Sequence, residues 1–350
     1  MTADTIGGVW TYACELAKAL EPFGVVVHLA CMGQPLSEDQ SQYAAKTANL
    51  RIHASSYKLE WMADPWEDVA EAGKWLNELE ARLQPDIIHL NNYAHGSLEW
   101  NAPAVMVAHS CVFTWWRAVK SEDPPAEWHV YYDKVREGLR NADMVVGVSR
   151  VFLDDVAALY GPLRQTRMIH NGLDPQDYHI RKKQDMVFGM GRVWDEGKNL
   201  SALASMHGRV GWPIRIAGST RLEEAEDGQN AAGVFMGRLD REKIREVLSE
   251  TPIYVLPAKY EPFGLSALEA AFSGCALVLG DIPTLREIWG DAAIYFPPGD
   301  AERLEFHLKS LIGTPELLAH RQKLAVEKAQ QYSADRMSAS YIYAYQELIA

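Results

Sequence analysis

A chain of 350 residues is long enough for two domains, with a core that needs no disulfide or metal staple. Its make-up, 48% hydrophobic, 23% charged and 10% aromatic, excludes a disordered tail, a collagenous repeat and a disulfide mini-scaffold. With 34 Lys and Arg against 47 Asp and Glu, the net charge of −13 argues against general affinity for a nucleic-acid backbone.

The first feature along the chain is TADTIGGVW, residues 2–10, read as a turn that opens a helix over Val9–Leu20. No strand is read before it. The first strand of a doubly wound sheet lies centrally, so the expectation is a missing N-terminal strand, apolar and upstream of Met1. Short β-branched runs follow at Val25–Met32, Asp86–Leu90, Ala104–His109, Met144–Ser149 and Arg167–His170. After the turn-forming and then charged stretch Asn171–Gln184, they resume at Met186–Gly191, Ile214–Gly218, Val234–Gly237, Ile253–Pro257, Ala276–Gly280 and Ala293–Phe296. Helix-period segments alternate with them: Trp66–Leu83, Trp128–Arg140, Arg238–Leu248, Leu265–Ser273, Glu302–Ile312, Glu316–Gln331 and Asp335–Ile349. Near-continuous apolar strands between amphipathic helices predict parallel sheets covered on both faces, a doubly wound α/β architecture.

Asn171–Gln184 reads as the interdomain linker. The last helix, bearing Tyr341, Tyr343 and Tyr345, is long enough to return to the first domain. The expected division is therefore residues 1–180 plus 333–350 against 181–332. Residues 1–180 carry 14 basic and 24 acidic side chains, net −10, and residues 181–350 carry 20 and 23, net −3. An anionic ligand is thus expected in the second half. Cys14, Cys31, Cys111 and Cys275 form no C-x-x-C pair and read as buried thiols in a reduced cytosol. Nothing reads as a signal peptide or a bilayer span, so the expected location is the cytoplasm.

Two glycine-rich patterns are decoys. GRVWDEGKN, residues 191–199, spaces its glycines by five residues where a phosphate loop needs four, and Asn199 replaces the metal-binding Ser or Thr. GMGRV lacks the third glycine of a dinucleotide fingerprint. The segment still places Arg192 and Lys198 in a loop at a strand's carboxyl end, where a guanidinium fork and a point charge suit a diphosphate. A solvated basic loop is the equal alternative on this segment alone. The stronger signal is Tyr260–Ala270, YEPFGLSALEA, between a strand and a helix. Its turn is expected to leave the amides of Gly264, Leu265 and Ser266 as donors at the helix start. Glu261 lies before the helix and Glu269 within it, although a Glu near a helix start ordinarily just complements the macrodipole. His28, His89 and His170 read as packed core residues. Trp100, Trp115, Trp116 and Trp128 suit either packing or stacking on an acceptor sugar. Glu223–Asp227 reads as a solvated loop.

The E-x7-E arrangement EPFGLSALE resembles the signature of the retaining family-4 glycosyltransferases of the GT-B fold. The likeness runs over most of the chain: GGVW at 7–10, VMVAHS at 105–110, VVGVSR, IHNGLD at 169–174, FGMGRVWDEGKNL and PPGD at 297–300 match in order. Ser37–Trp66 matches poorly. The resemblance implies two Rossmann-like domains facing each other across a cleft, with a nucleotide-sugar donor held mainly by the second. It implies that Arg192 and Lys198 neutralise the departing diphosphate and that Glu269 binds the ribose. The amides of Gly264, Leu265 and Ser266, after Phe263, would touch phosphate, and Glu261 would face the sugar hydroxyls. His109 would hydrogen-bond the sugar near its anomeric carbon, the backbone at Arg238 and Leu239 would hold the base, and Gly7 and Gly8 would let the N-terminal loop approach phosphate.

The expected reaction moves a hexose from a UDP-sugar, or second a GDP-sugar, to a hydroxyl of a glycan or glycolipid in exopolysaccharide or cell-envelope synthesis. A GT-B phosphorylase, a sugar-nucleotide epimerase or hydrolase, and a non-catalytic sugar-nucleotide-binding protein are the alternatives. No D-x-D sequence and no ligand-spaced cluster occurs, so neither metal nor cofactor is expected. The acidic first half predicts only brief contact with anionic lipid and no stable membrane insertion.

Overall fold

The computed structural model describes residues 1–219 and 234–350, which divide into two compact units. The first comprises Met1–Gly172 and Ala334–Ala350, the second Leu173–Ser333. Residues 173–180, expected in the first domain, therefore pack with the second. Glu223–Asp227 lies outside the described residues.

The first unit is built on parallel strands β1 (Thr2–Asp4), β2 (Val27–Met32), β3 (Leu50–Ala54), β4 (Ile88–Leu90), β5 (Ala104–Ala108), β6 (Met144–Gly147) and β7 (Thr166–Met168). They form one sheet in the order β1-β2-β3 and a second in the order β4-β5-β6-β7. The reading of no strand before the first helix is corrected. Thr2–Asp4 is itself a strand, paired in register with Ala30–Met32 of β2. Three residues of TAD are too few for any periodic pattern, and only the ladder to β2 defines them. Thr2 also reaches the end of β4, where its hydroxyl and carbonyl accept hydrogen bonds from Asn91. Every residue of β5 and β6 is buried, which is why these runs read as continuously apolar. The edge strand β3 escapes notice in the sequence because LRIHA alternates poorly and exposes Arg51. The C-terminal helix Ala334–Ile349 packs on the helix Gly8–Leu20.

The second unit has a five-stranded parallel sheet in the order β12-β11-β10-β8-β9. Its strands are β8 (Val187–Met190), β9 (Ile214–Ala217), β10 (Ile253–Leu256), β11 (Ala276–Gly280) and β12 (Ala293–Phe296). Val187, Ile216, Val255, Val278 and Phe296 of this sheet join Leu304, Leu308 and Leu311 of the helix Ala301–Gly313 in one core. The expected strand Val234–Gly237 shrinks to a single parallel bridge between Phe235 and Ile216. The next helix begins at Arg241, capped by Asp240, so Arg238 and Leu239 lie in the connection before it. The four cysteines are buried and none forms a disulfide. No helix among the described residues is long and apolar enough to cross a membrane.

Candidate active site

In the second unit the site grows from two neighbouring strands. After β8 the chain turns at Gly191 and presents Arg192, whose Nη2 donates to Asp195 Oδ2 at 2.8 Å. The other oxygen of Asp195 accepts the Gly197 amide at 2.8 Å, so one nearly buried carboxylate both shapes the loop and aims the guanidinium. Asn199 follows with φ +53°, a conformation that asparagine tolerates better than most residues. Its amide nitrogen donates to the carbonyls of Pro257 and Pro298, each at 2.9 Å, tying together the loops after β8, β10 and β12.

Because β10 lies beside β8, the turn after β10 meets this loop. The amides of Lys259 and Tyr260 donate to the Gly197 carbonyl at 2.8 and 3.2 Å. Lys198 Nζ donates to Glu261 Oε2 at 2.6 Å, with both side chains largely buried. Glu261 Oε1 accepts the Gly264 amide at 3.0 Å, and the Glu261 carbonyl accepts the Thr284 hydroxyl at 2.6 Å. The expectation that the Gly264 amide is a free donor is therefore corrected: Glu261 caps it. Gly264 takes φ +92°, which lets the chain turn into the helix Leu265–Phe272 carrying Ser266 and Glu269, while Phe263 is buried beneath. Glu269 Oε1 accepts the Tyr178 hydroxyl at 3.3 Å. Tyr178 is itself held under Arg245, which pairs with Asp177 at 2.6 Å. Arg238 is exposed and Leu239 half-buried.

The first unit, described by itself, carries the other predicted residues. His109 follows β5 and directs Nε2 to Asn91 Oδ1 at 2.8 Å, with Tyr12 edge-on at 4.5 Å between ring centroids. Burial pushes its imidazole down to about 3, so the ring is neutral. Behind it, the buried His89 bridges the hydroxyls of Tyr12 and Tyr345 at 3.1 and 2.6 Å. Gly7, with φ +103°, and Gly8 are exposed at the start of the helix Gly8–Leu20. Glu60, pushed up to about 7 by burial, accepts the amides of Tyr93 and Ala94 at 3.0 and 2.7 Å and so fixes the loop after β4.

The family model for Glycosyltransferase Family 4 matches residues 6–177, and that for Glycosyl transferases group 1 matches residues 174–328. The chain is a family-4 glycosyltransferase. It is 25% identical to a glycogen synthase of Mycobacterium tuberculosis over 92% of this chain and 86% of that one. Its fold matches a sucrose-phosphate synthase from Thermosynechococcus elongatus at TM-score 0.81 and 19% identity, covering 98% of this chain and 94% of the other. HepE of Anabaena, solved with UDP and glucose, matches at TM-score 0.74 and 15% identity over 98% and 96% of the two chains. The architecture is thus GT-B.

Within this glycosyltransferase, the structure brings Arg192, Lys198, Glu261, Phe263 and Gly264 together around the ends of β8 and β10. Sequence reading missed Asp195, Asn199 and Tyr178 there, and Asn91 beside His109. Asn199 gave one faint signal, a residue prone to left-handed backbone at a loop end.

Buried histidines give the glycosyltransferase a sensitivity to acid. His95 is 3% exposed and pushed down to about 4 by burial, and His89 is lowered by the same cause. Folded values below the ordinary 6.5 mean that the unfolded chain binds more protons as pH falls from 6.5 toward 4. Stability present at neutral pH is lost over that window, while Glu60 acts in the opposite sense between 4.5 and 7. Urea unfolding of wild type should lose about 2 kcal/mol more between pH 7 and 5 than His95→Gln does. An identical pH dependence in the two proteins would remove His95 as a source.

Proposed function

We propose that this glycosyltransferase moves a hexose from a nucleotide diphosphate sugar, UDP before GDP, to a hydroxyl of a glycan, with retention at the anomeric carbon. The observation that carries the reading is the Lys198–Glu261 pair, set 2.6 Å apart beside the loop that presents Arg192. Breaking a glycosyl–phosphate bond puts negative charge on the leaving diphosphate and positive charge on the sugar. Two fixed cations stabilise the first, an electrostatic contribution that is commonly the largest in such catalysis. They take the place that a divalent metal would fill, so the reaction needs none.

Glu261 is already engaged at both oxygens, by Lys198 and by the Gly264 amide. That arrangement favours departure and attack on one face within an ion pair over a covalent glycosyl–Glu261 intermediate. The second unit carries the residues proposed to contact the diphosphate and ribose. The donor preference draws on HepE, solved with UDP and glucose. A sugar-phosphate acceptor is the second reading, favoured by the similarity to sucrose-phosphate synthase.

The deciding assay follows nucleotide release from UDP-glucose and GDP-mannose, each with a glucan oligosaccharide, with a hexose phosphate, or with water alone. The expected result is acceptor-dependent UDP release, unchanged by EDTA, with an axial anomeric linkage in the product by proton NMR. Equal release with and without acceptor would make the protein a hydrolase or epimerase, and loss of rate in EDTA would restore a metal. Isolation of a covalent glycosyl–Glu261 adduct would overturn the ion-pair route.

A further inference from the structure

A backbone carbonyl can only accept a hydrogen bond, so the Asn91 atom 2.7 Å from the Thr2 carbonyl is the amide nitrogen Nδ2. The Asn91 backbone N–H donates to the Thr2 hydroxyl at 2.8 Å, holding the same residue at a second point. Oδ1 is thereby turned toward His109 Nε2 at 2.8 Å. An amide oxygen carries no proton, so Nε2 must be the donor. The neighbouring histidine obeys the same logic. His95 Nε2 faces the Val69 carbonyl at 3.0 Å and must also carry the proton. Its bare Nδ1 meets Nδ2 of Asn92, whose Oδ1 accepts from the Thr2 hydroxyl at 2.9 Å. One strand residue thus orients two asparagines, and each asparagine meets one histidine. Burial keeps His109 neutral, so its ring has a single proton to place.

We propose that Asn91 is a positioning residue that fixes His109 as its Nε2–H tautomer and leaves Nδ1 as a hydrogen-bond acceptor. No described residue donates to that Nδ1, which leaves it open to a ligand. On the proposed function, that ligand is a hydroxyl of the transferred hexose, which must donate rather than accept. A sugar carrying a carboxylate at that position would set lone pair against lone pair and be refused. The tautomer itself does not depend on that reading.

The test uses the full chain labelled with 15N-histidine, its ring nitrogens recorded by long-range proton–nitrogen correlation at pH 7. His109 is assigned by its loss in His109→Gln, and His95 serves as an internal standard. Wild type should show the Nε2–H pattern at both rings. Asn91→Asp, whose carboxylate also accepts, should keep the pattern at His109. Asn91→Leu should move His109 toward Nδ1–H and lower kcat at least tenfold while His95 is unchanged. An Nδ1–H pattern in wild type, or an unchanged His109 in Asn91→Leu, would overturn the proposal. If Asn91→Leu does not fold, the wild-type and Asn91→Asp spectra still decide. An Nε2–H pattern in a protein without transferase activity would support the tautomer and overturn only the functional reading.

Discussion

Lys198→Ala should lower kcat by about 10²–10³-fold, the loss expected when one fixed donor to developing negative charge is removed. Lys198 is 19% exposed at its side chain and Glu261 12%, so little solvent is available to replace the missing ammonium. Removing it also leaves the Glu261 carboxylate with the Gly264 amide and without a cation, where the proposed reaction needs positive potential. Two penalties therefore act in one direction. Arg192→Ala should be milder, because the side chain is 39% exposed and water can enter in its place. Steady-state kinetics with the donor that the release assay selects check both, and circular dichroism confirms that the fold persists. A kcat for Lys198→Ala within threefold of wild type would remove Lys198 from the leaving-group site.

Gly218→Ala should destabilise the second unit by about 3 kcal/mol and lower its midpoint by roughly 10 °C. A Cβ on Gly218 would stand 1.8 Å from the Gly191 carbonyl oxygen, and backbone cannot swing aside as a side chain can. Its φ of +146° adds strain for any L residue. The clash falls where the ends of β8 and β9 meet, with the Gly191 amide bonded to the Ala217 carbonyl at 3.0 Å. Displacing Gly191 displaces Arg192 with it, so nucleotide affinity should fall at least tenfold as well. Gly208→Ala separates strain from collision: its φ is +74°, but nothing lies within 4 Å of the new Cβ. It should cost only about 1 kcal/mol. Equal shifts in midpoint for the two variants, measured by differential scanning calorimetry, would show that the Gly191 contact is not what constrains Gly218.

The residues legible in the sequence share one property. Arg192, Lys198, Glu261 and His109 each sit just past an apolar run, at a strand's carboxyl end, where open α/β sheets place their ligands. Their companions have no such local mark. Asp195 resembles any loop acid, yet it is nearly buried and aims Arg192. Tyr178 looked like linker, yet it donates to Glu269 from 91 positions away. The Gly264 amide looked free because helix starts usually leave donors open, and it is capped by a carboxylate three residues earlier. Thr2 belonged to a strand too short to carry a pattern.

The sequence by itself determined the α/β class and the alternation of strand and helix, because a parallel strand covered on both faces must be apolar nearly throughout. It also determined which charged side chains follow the strand ends, since Arg192, Lys198, Glu261 and Glu269 are read directly from it. The tertiary structure alone decided which polar atoms meet. Lys198 and Glu261 are 63 positions apart and touch because β8 and β10 are neighbours in a sheet whose order is not the chain order. Thr2 and Asn91 are 89 apart and meet because β1 ends beside β4. Hydrogen bonds act over about 3 Å. No spacing along the chain encodes such a distance once strand order has been permuted.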